Sequence, residues 1–204
     1  MNIKIVFPDK QQKELESGVS VADAIVAWRK DALTSAVAAK VDGVPVDLSF
    51  VLTRDAAVEV IDISSKEGLH ILRHSIAHVM AHAVQDVFRG AKVTIGPSIE
   101  DGFYYDFDYS EPFTVDDFAK IEKRMKQITV ANYPFVRDVL PRAGAVDLFA
   151  ARGEDYKVEL INDLPSDVTE VSLYKDGDYI DLCRGPHVSS TGKIKAFKLL
   201  SVAG

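Results

Sequence analysis

Four of the five histidines in this 204-residue chain, His70, His74, His78 and His82, recur at steps of four within thirteen residues. On a helix, that spacing sets successive rings on one side, about 6 Å apart, with a drift of about 40° per step. The fifth, His187, follows the lone cysteine, Cys183, by four residues in Asp181-Leu182-Cys183-Arg184-Gly185-Pro186-His187. Gly-Pro keeps this interval out of a helix, so a turn after a strand must bring cysteine and histidine together. Strand alternation puts Asp181 and Cys183 on the same face. HxxxH on a helix with CxxxH on a turn is a set with metal-ligand chemistry. It suits two mechanisms. His74, His78, Cys183 and His187 could hold zinc, whose bound water is a nucleophile near neutral pH. Alternatively, without metal, the imidazoles orient a substrate and move protons. Spacing alone leans toward zinc. The plainer alternatives are a solvated, histidine-rich helix face and a buried structural cysteine beside a turn histidine. The histidine row is centred opposite the apolar stripe of its helix, so it is expected off the main packing face, with His70 and His82 as bystanders.

The helix that must carry the row has an apolar face of Leu69, Leu72, Ile76, Val79, Met80, Ala83, Val84 and Val87. Ser64 with Glu67 fits a capping box at its start, and Gly90 is the favoured residue past its end. The polar stretch Ser64–Gly68 also reads as a boundary, giving units 1–63 and 64–204. In the first unit, Asn2–Phe7 alternates as a strand and Lys10–Leu15 can pair back with it. Ser20 with Asp23 caps a helix whose stripe is Val21, Ala24, Ile25 and Trp28. Ala36–Val41 and Ala57–Ile63 read as strands, with Asp42-Gly43 a tight turn. In the second unit, Phe103–Phe107 reads as an aromatic strand whose Tyr105 also suits a core. Thr114 with Asp117 opens a helix that Pro134 ends. Ala145–Arg152 is a short helix closed by Gly153. Tyr156–Ile161 alternates as a strand, with Lys157 facing away from Tyr156 and Val158. Val171–Lys175 and Asp178–Cys183 flank a hairpin turn at Asp176-Gly177. The whole is α+β: a helix crossing a small mixed sheet, then a His-bearing helix against an antiparallel sheet.

Apolar residues make up 47% of the chain and charged residues 27%, the mix of a folded globular protein rather than a disordered or fibrous one. A net charge of −7 excludes a general polyanion binder, though local basic runs (Lys193, Lys195, Lys198 and Lys123, Arg124, Lys126) can meet RNA. No run approaches the roughly 18 apolar residues of a membrane span. In the start, MNIKIVFPDK, charge and proline arrive too early for a secretory signal, so the expectation is cytoplasmic. A single cysteine excludes an intrachain disulfide.

Arg73–Val84 (RHSIAHVMAHAV) and Asp181–His187 (DLCRGPH) resemble the two signature segments of the threonyl-tRNA synthetase editing domain, and Ile95–Asp108 (IGPSIEDGFYYDFD) resembles the segment between them. The first unit is similar to the TGS domain, a ubiquitin-like β-grasp fold that precedes it in those synthetases. The paired motif is shared with the alanyl-tRNA editing family, and the TGS-like start points to the threonyl branch. TGS domains also occur in certain GTPases, but the chain has no GxxxxGK[ST] loop.

The resemblance implies proofreading: hydrolysis of serine wrongly esterified to threonine tRNA. One missing methyl is worth only about 1–3 kcal/mol of discrimination, which is why a second sieve is needed. His74, His78, Cys183 and His187 match the family's signature positions, and Lys157, Tyr105 and Asp181 match further pocket positions. By that match Lys157 and the histidines position or deprotonate a water, Asp181 holds the seryl ammonium, and Tyr105 and His187 bind the terminal ribose or polarise the reacting group. No metal cofactor is expected on the threonyl branch. The alternatives are a zinc-dependent alanyl-type hydrolase and a non-catalytic module that binds the tRNA acceptor end. Lys193, Lys195 and Lys198 are candidate phosphate contacts. The expected partners are the serine-bearing acceptor end of tRNA(Thr) and the remainder of a synthetase. The chain is expected to be an N-terminal piece without ligase activity of its own, monomeric by itself and homodimeric in full-length form, with no membrane partner.

Overall fold

Asp42 and Gly43 both take positive φ, 51° and 83°, the pair of left-handed residues that a type I′ hairpin turn requires, and Val41 faces Val44 across it. The turn belongs to the first of two compact units. In the computed structural model, which describes residues 1–203, these are Met1–Leu72 with Gly185–Ser189, and Arg73–Arg184 with Ser190–Gly204.

In the first unit, β1 (Asn2–Val6) pairs antiparallel with β2 (Gln12–Glu16), burying Ile3 and Ile5 while Asn2 and Lys4 face out. After β3 (Val19–Ser20), Ser20 starts α1 (Val21–Trp28): its hydroxyl accepts the Asp23 N–H at 3.1 Å and donates to the Asp23 carboxylate at 2.6 Å. Helix α1 buries Val21, Ala24 and Ile25, and Trp28 stacks on Phe7 at 4.7 Å. Then come α2 (Ala32–Ser35), β4 (Ala36–Val41), β5 (Val44–Val46), β6 (Val51–Leu52), which pairs with β3, and β7 (Ala56–Asp62). The sheet order is β2-β1-β7-β4-β5, with β1 and β7 parallel and the other pairs antiparallel, and α1 packs on it: a β-grasp fold.

Helix α3 (Lys66–Val87) begins one residue later than the capping-box reading places it. Ser65, not Ser64, accepts the Gly68 N–H, at 2.9 Å. Ser64 instead bonds the Asp62 carboxylate, and Glu67 pairs with Lys40 at 2.7 Å. A side chain at Gly68 would place its Cβ 2.0 Å from the Asp62 carbonyl oxygen, so this tight start needs glycine.

The second unit takes α3 from Arg73 onward, then β8 (Lys92–Val93), β9 (Ser98–Ile99), β10 (Gly102–Phe103) and β11 (Phe107–Asp108), short strands paired β8 with β11 and β9 with β10. The expected strand Phe103–Phe107 is therefore two strand ends with Tyr104–Asp106 between them. A capping box at Thr114 and Asp117 leads through a short 3-10 turn into α4 (Phe118–Ala131), which Asn132 closes at φ 55°. Next are β12 (Val136–Pro141), α5 (Arg142–Ala151), α6 (Asp155–Asn162), β13 (Glu170–Asp176) and β14 (Tyr179–Leu182). Strands β12-β13-β14 form an antiparallel sheet against Ala145, Phe149 and Ile161 of α5 and α6.

Two expectations are overturned here. Residues 156–161 are helical, not a strand: Lys157 and Ile161 are buried one turn apart, with Val158 packed beside them. The hairpin turn is Gly177-Asp178, one residue beyond the expected dipeptide. Asp176 is the last β13 residue, facing Tyr179, and Gly177 takes φ 60°. No helix among the described residues is long and apolar enough to cross a membrane.

Candidate active site

Hairpin β13–β14 turns one face inward. Tyr174 faces Asp181 and Asp176 faces Tyr179 in register, and all four side chains are buried. The hairpin therefore offers two carboxylates away from water, and ionised groups there need partners. Each is served by different elements.

Asp176 meets the histidine row. His82 Nδ1 lies 2.8 Å from Asp176 Oδ2. His78 Nε2 lies 3.2 Å from Oδ1, a charge contact out of line for a well-formed hydrogen bond. This corrects the view of the row as lying off the packing face. From Ser75 to Val84, α3 is buried on every side, because the hairpin covers the face opposite the apolar stripe. His82 is no solvated bystander: its ring stacks on Tyr179 at 5.2 Å, and its Nε2 is 3.3 Å from Asp86, which Arg124 also holds at 2.7 Å. His78 meets Tyr179 and Phe135 edge-on. His70 is exposed.

Asp181 meets α6 and the segment after β8. Lys157 Nζ is 2.6 Å from Oδ1, and Tyr105 donates its hydroxyl to Oδ2 at 2.6 Å. The same ammonium donates to the Thr94 carbonyl at 2.8 Å and to the Tyr105 hydroxyl at 3.2 Å. Tyr105 reaches this position because residue 96 is glycine: a Cβ there would lie 2.0 Å from the tyrosine ring.

Burial works to raise the pKa of both carboxyls, and their partners prevail. His78 and His82 hold Asp176 below its ordinary value, while Lys157, His78 and Tyr105 do the same for Asp181. Burial, reinforced by the charge of Asp181, pushes the Tyr105 and Tyr179 phenols well above theirs, so both stay neutral.

His74 and Cys183 are the partly exposed members. His74 Nε2 lies 3.0 Å from Cys183 Sγ, and the Cys183 backbone is pinned to β13 from both sides: its N–H donates to the Ser172 carbonyl at 3.1 Å and its carbonyl accepts the Ser172 hydroxyl at 2.6 Å. His187 is buried, and its backbone N–H donates to Asp47 at 2.9 Å. His187 belongs to the first unit, in the segment Gly185–Ser189, whereas His74 and Cys183 lie in the second. The Nε2 of His78 is turned to Asp176.

The sequence reading missed Asp176, His82 and Tyr179. The available signals were the continued four-residue step from His78 to His82 and an acidic residue at the hairpin turn. Of the C-terminal lysines, Lys198 pairs with Glu122 at 2.8 Å, Lys195 donates to the Gly192 carbonyl, and Lys193 ends a 3-10 turn, Thr191–Lys193.

Comparison with known proteins bears on the whole chain. The TGS domain model matches residues 3–62, and the model of the threonyl and alanyl tRNA synthetase second additional domain matches residues 171–204. A threonine–tRNA ligase of Pelobacter propionicus is 51% identical over 203 residues, covering 100% of this chain and 32% of that protein. Those of Hahella chejuensis and Geobacter sp. strain M21 are each 49% identical, over 98% and 99% of this chain and 31% of their own lengths. The chain thus spans about a third of the length of the curated relatives it matches. With a TGS domain, an editing-type domain in an α+β frame, and about half of its residues shared with these ligases along its full extent, the chain belongs to the threonyl-tRNA synthetase family.

Proposed function

We propose that residues 64–204 form an editing domain that hydrolyses the ester of serine mischarged on threonine tRNA, and that residues 1–63 are its TGS domain. The observation that carries this reading is the partly exposed His74–Cys183 pair within electrostatic reach of a buried Lys157–Asp181–Tyr105 cluster. It offers a proton acceptor that water can reach, backed by a fixed arrangement of charge. In the proposed reaction a water attacks the ester carbonyl and passes a proton to His74. The bond to the ribose oxygen breaks, and that oxygen takes the proton back as the tRNA leaves. Lys157 has three acceptors within 3.2 Å and an ammonium has three protons, so it serves as a fixed positive charge rather than as the base. Both oxygens of Asp181 are engaged, so it first orients Lys157 and Tyr105, and a seryl ammonium would have to share it with Lys157. His78 supports from within, and Tyr105 and His187 are assigned to the ribose side.

The proposed partner is the acceptor end of tRNA(Thr), with Lys193, Lys195 and Lys198 as phosphate contacts. The proposed setting is cytoplasmic, with this region a monomer and the whole synthetase a homodimer. Ligase chemistry is assigned to parts of the relatives that this chain does not span. The test is deacylation of Ser-tRNA(Thr) beside Thr-tRNA(Thr), with and without chelator. Hydrolysis of the seryl ester alone, insensitive to chelator, is expected. No hydrolysis of either would leave an acceptor-binding module.

One observation favours a second reading, a zinc-dependent hydrolase of the alanyl type. His74, Cys183 and His187 are of the right donor classes, and His74 Nε2 and Cys183 Sγ stand 3.0 Å apart, while ligand atoms around a tetrahedral zinc stand roughly 3.5 Å apart. Three protein ligands would leave a fourth position for water, which zinc makes acidic. Chelator-sensitive hydrolysis with stoichiometric zinc would establish it.

A further inference from the structure

We infer that Asp176 is a positioning residue of this site: a carboxylate at the hairpin turn that fixes the rings of His78 and His82 and keeps hydrogen on His82 Nδ1. The role in catalysis rests on the deacylation reading above, whereas the ring placement and that hydrogen do not. Asp176 is fully buried, 94 residues from His82 in sequence, and its two oxygens divide between the two histidines, Oδ2 to His82 Nδ1 at 2.8 Å and Oδ1 to His78 Nε2 at 3.2 Å. A carboxylate can only accept, so His82 Nδ1, hydrogen-bonded to it, must carry hydrogen, while His78 Nε2 meets Oδ1 as a charge contact that holds the ring in place. Three further groups of contacts show that the arrangement is built. Tyr133 and Tyr179 flank the His82 ring at 6.4 and 5.2 Å. Tyr179 and Phe135 meet the His78 ring edge-on at 4.8 and 5.3 Å. Beyond His82, Asp86 and Arg124 close the far side, with His82 Nε2 3.3 Å from Asp86 and Asp86 2.7 Å from Arg124.

The functional consequence follows from the hairpin and the helix. Asp176 and Asp181 share its inner face, and the charge of His78 acts on Asp181 as well as on Asp176. His74 lies one helical turn before His78. Fixing His78 and His82 against the hairpin therefore sets the rotation of α3, and with it where His74 meets Cys183. His78 and His82 are buried, so Asp176 acts through them and touches no substrate.

The test is nitrogen-detected NMR of the imidazoles in the full 204-residue chain, alongside deacylation kinetics. In the unsubstituted protein the expected result is hydrogen on His82 Nδ1. A His82 ring carrying hydrogen on Nε2 alone would overturn the proposal without any variant. In Asp176→Asn, the amide can donate as well as accept, and the tautomers are expected to become mixed. Turnover should fall about 10- to 100-fold, with KM within about twofold, because the histidine geometry and not substrate contact is lost. Asp176→Glu, which keeps the carboxylate, is expected to restore part of the loss. Unchanged tautomers, or unchanged turnover in Asp176→Asn when the parent is active, would overturn it. An inactive parent with the expected tautomers would sink the deacylation reading and leave Asp176 as the residue that sets both histidines.

Discussion

Lys157 Nζ lies 2.6 Å from Asp181 Oδ1, with the two side chains only 3% and 6% exposed. The pair joins α6 to the end of β14, two elements that no local sequence signal connects. Removing one member of a buried ion pair leaves the other uncompensated, which costs about 3–5 kcal/mol, whereas replacing both with apolar groups of similar volume is often neutral. Asp181→Leu is thus expected to destabilise the second unit by about 3–5 kcal/mol. Adding Lys157→Met should recover a large part of that loss, with deacylation abolished in both. Urea unfolding followed by circular dichroism gives the cycle. Strict additivity of the two substitutions would show that the pair is not coupled.

Acid should unfold this unit through the same two carboxylates. Asp176 and Asp181 both lie below the ordinary carboxyl value in the folded state, held there against burial by His78 and His82 and by Lys157, respectively. A folded-state pKa below the unfolded one contributes stability that is complete above the unfolded value. It is lost as pH falls through the folded value. The unfolding midpoint should therefore stay level from about pH 7 to about pH 5, as far as these groups govern it, and fall steeply below about pH 4. In Asp176→Asn the acid limb should be shallower. An equally steep limb in that variant would assign the acid sensitivity to other groups.

Gly96 holds Tyr105 in place by what it lacks. A methyl there would lie 2.0 Å from the ring, too close for any rotamer adjustment of the alanine itself to relieve. Gly96→Ala is expected to push Tyr105 off Asp181, costing about 1–3 kcal/mol as an overpacking change. Activity should fall more than the stability loss explains. Gly96→Ala/Tyr105→Ala, which removes the clashing ring, should regain stability but not activity. Full activity in Gly96→Ala would show that the Tyr105–Asp181 bond is dispensable.

Much of the first unit was legible because its signals are local. Ser20 and Asp23 cap a helix three residues apart, Asp42-Gly43 makes the turn that its composition calls for, and Ile3 and Ile5 alternate with polar neighbours. The second unit hid more, for physical reasons. Lys157 is buried but counts as polar in any hydrophobic pattern, so the sequence of α6 reads as alternation and hides the Lys157–Ile161 stripe. The His face of α3 looked solvated because the groups that cover it, Asp176 and Tyr179, arrive about ninety residues later and are polar themselves. The cap of α3 lies one residue beyond the capping-box position because Ser64 and Ser65 compete, and Asp62 takes the Ser64 side chain. The identities of His74, His78, Lys157, Tyr105, Asp181, Cys183 and His187 as candidates came from motif resemblance. Their division into a group on Asp176, a group on Asp181 and a reachable His74–Cys183 pair came only from the structure.

That pair also separates three chemistries for the site. Cys183 Sγ stands 3.0 Å from His74 Nε2, a contact that serves equally a thiol activated for attack, a thiolate on a metal, or a hydrogen-bonded neighbour of a histidine base. Serine in place of Cys183 keeps a donor toward His74 but is a far poorer nucleophile and metal ligand. If water is the nucleophile, Cys183→Ser should hold kcat within about tenfold of the parent, while His74→Ala should lower it by about 10²- to 10⁴-fold, the usual worth of a general base. A Cys183→Ser loss as large as that of His74→Ala would require the sulfur itself. Zinc analysis then divides the remaining cases: stoichiometric metal lost with the thiol points to Cys183 as a zinc ligand, and trapped seryl-enzyme without metal points to a covalent route.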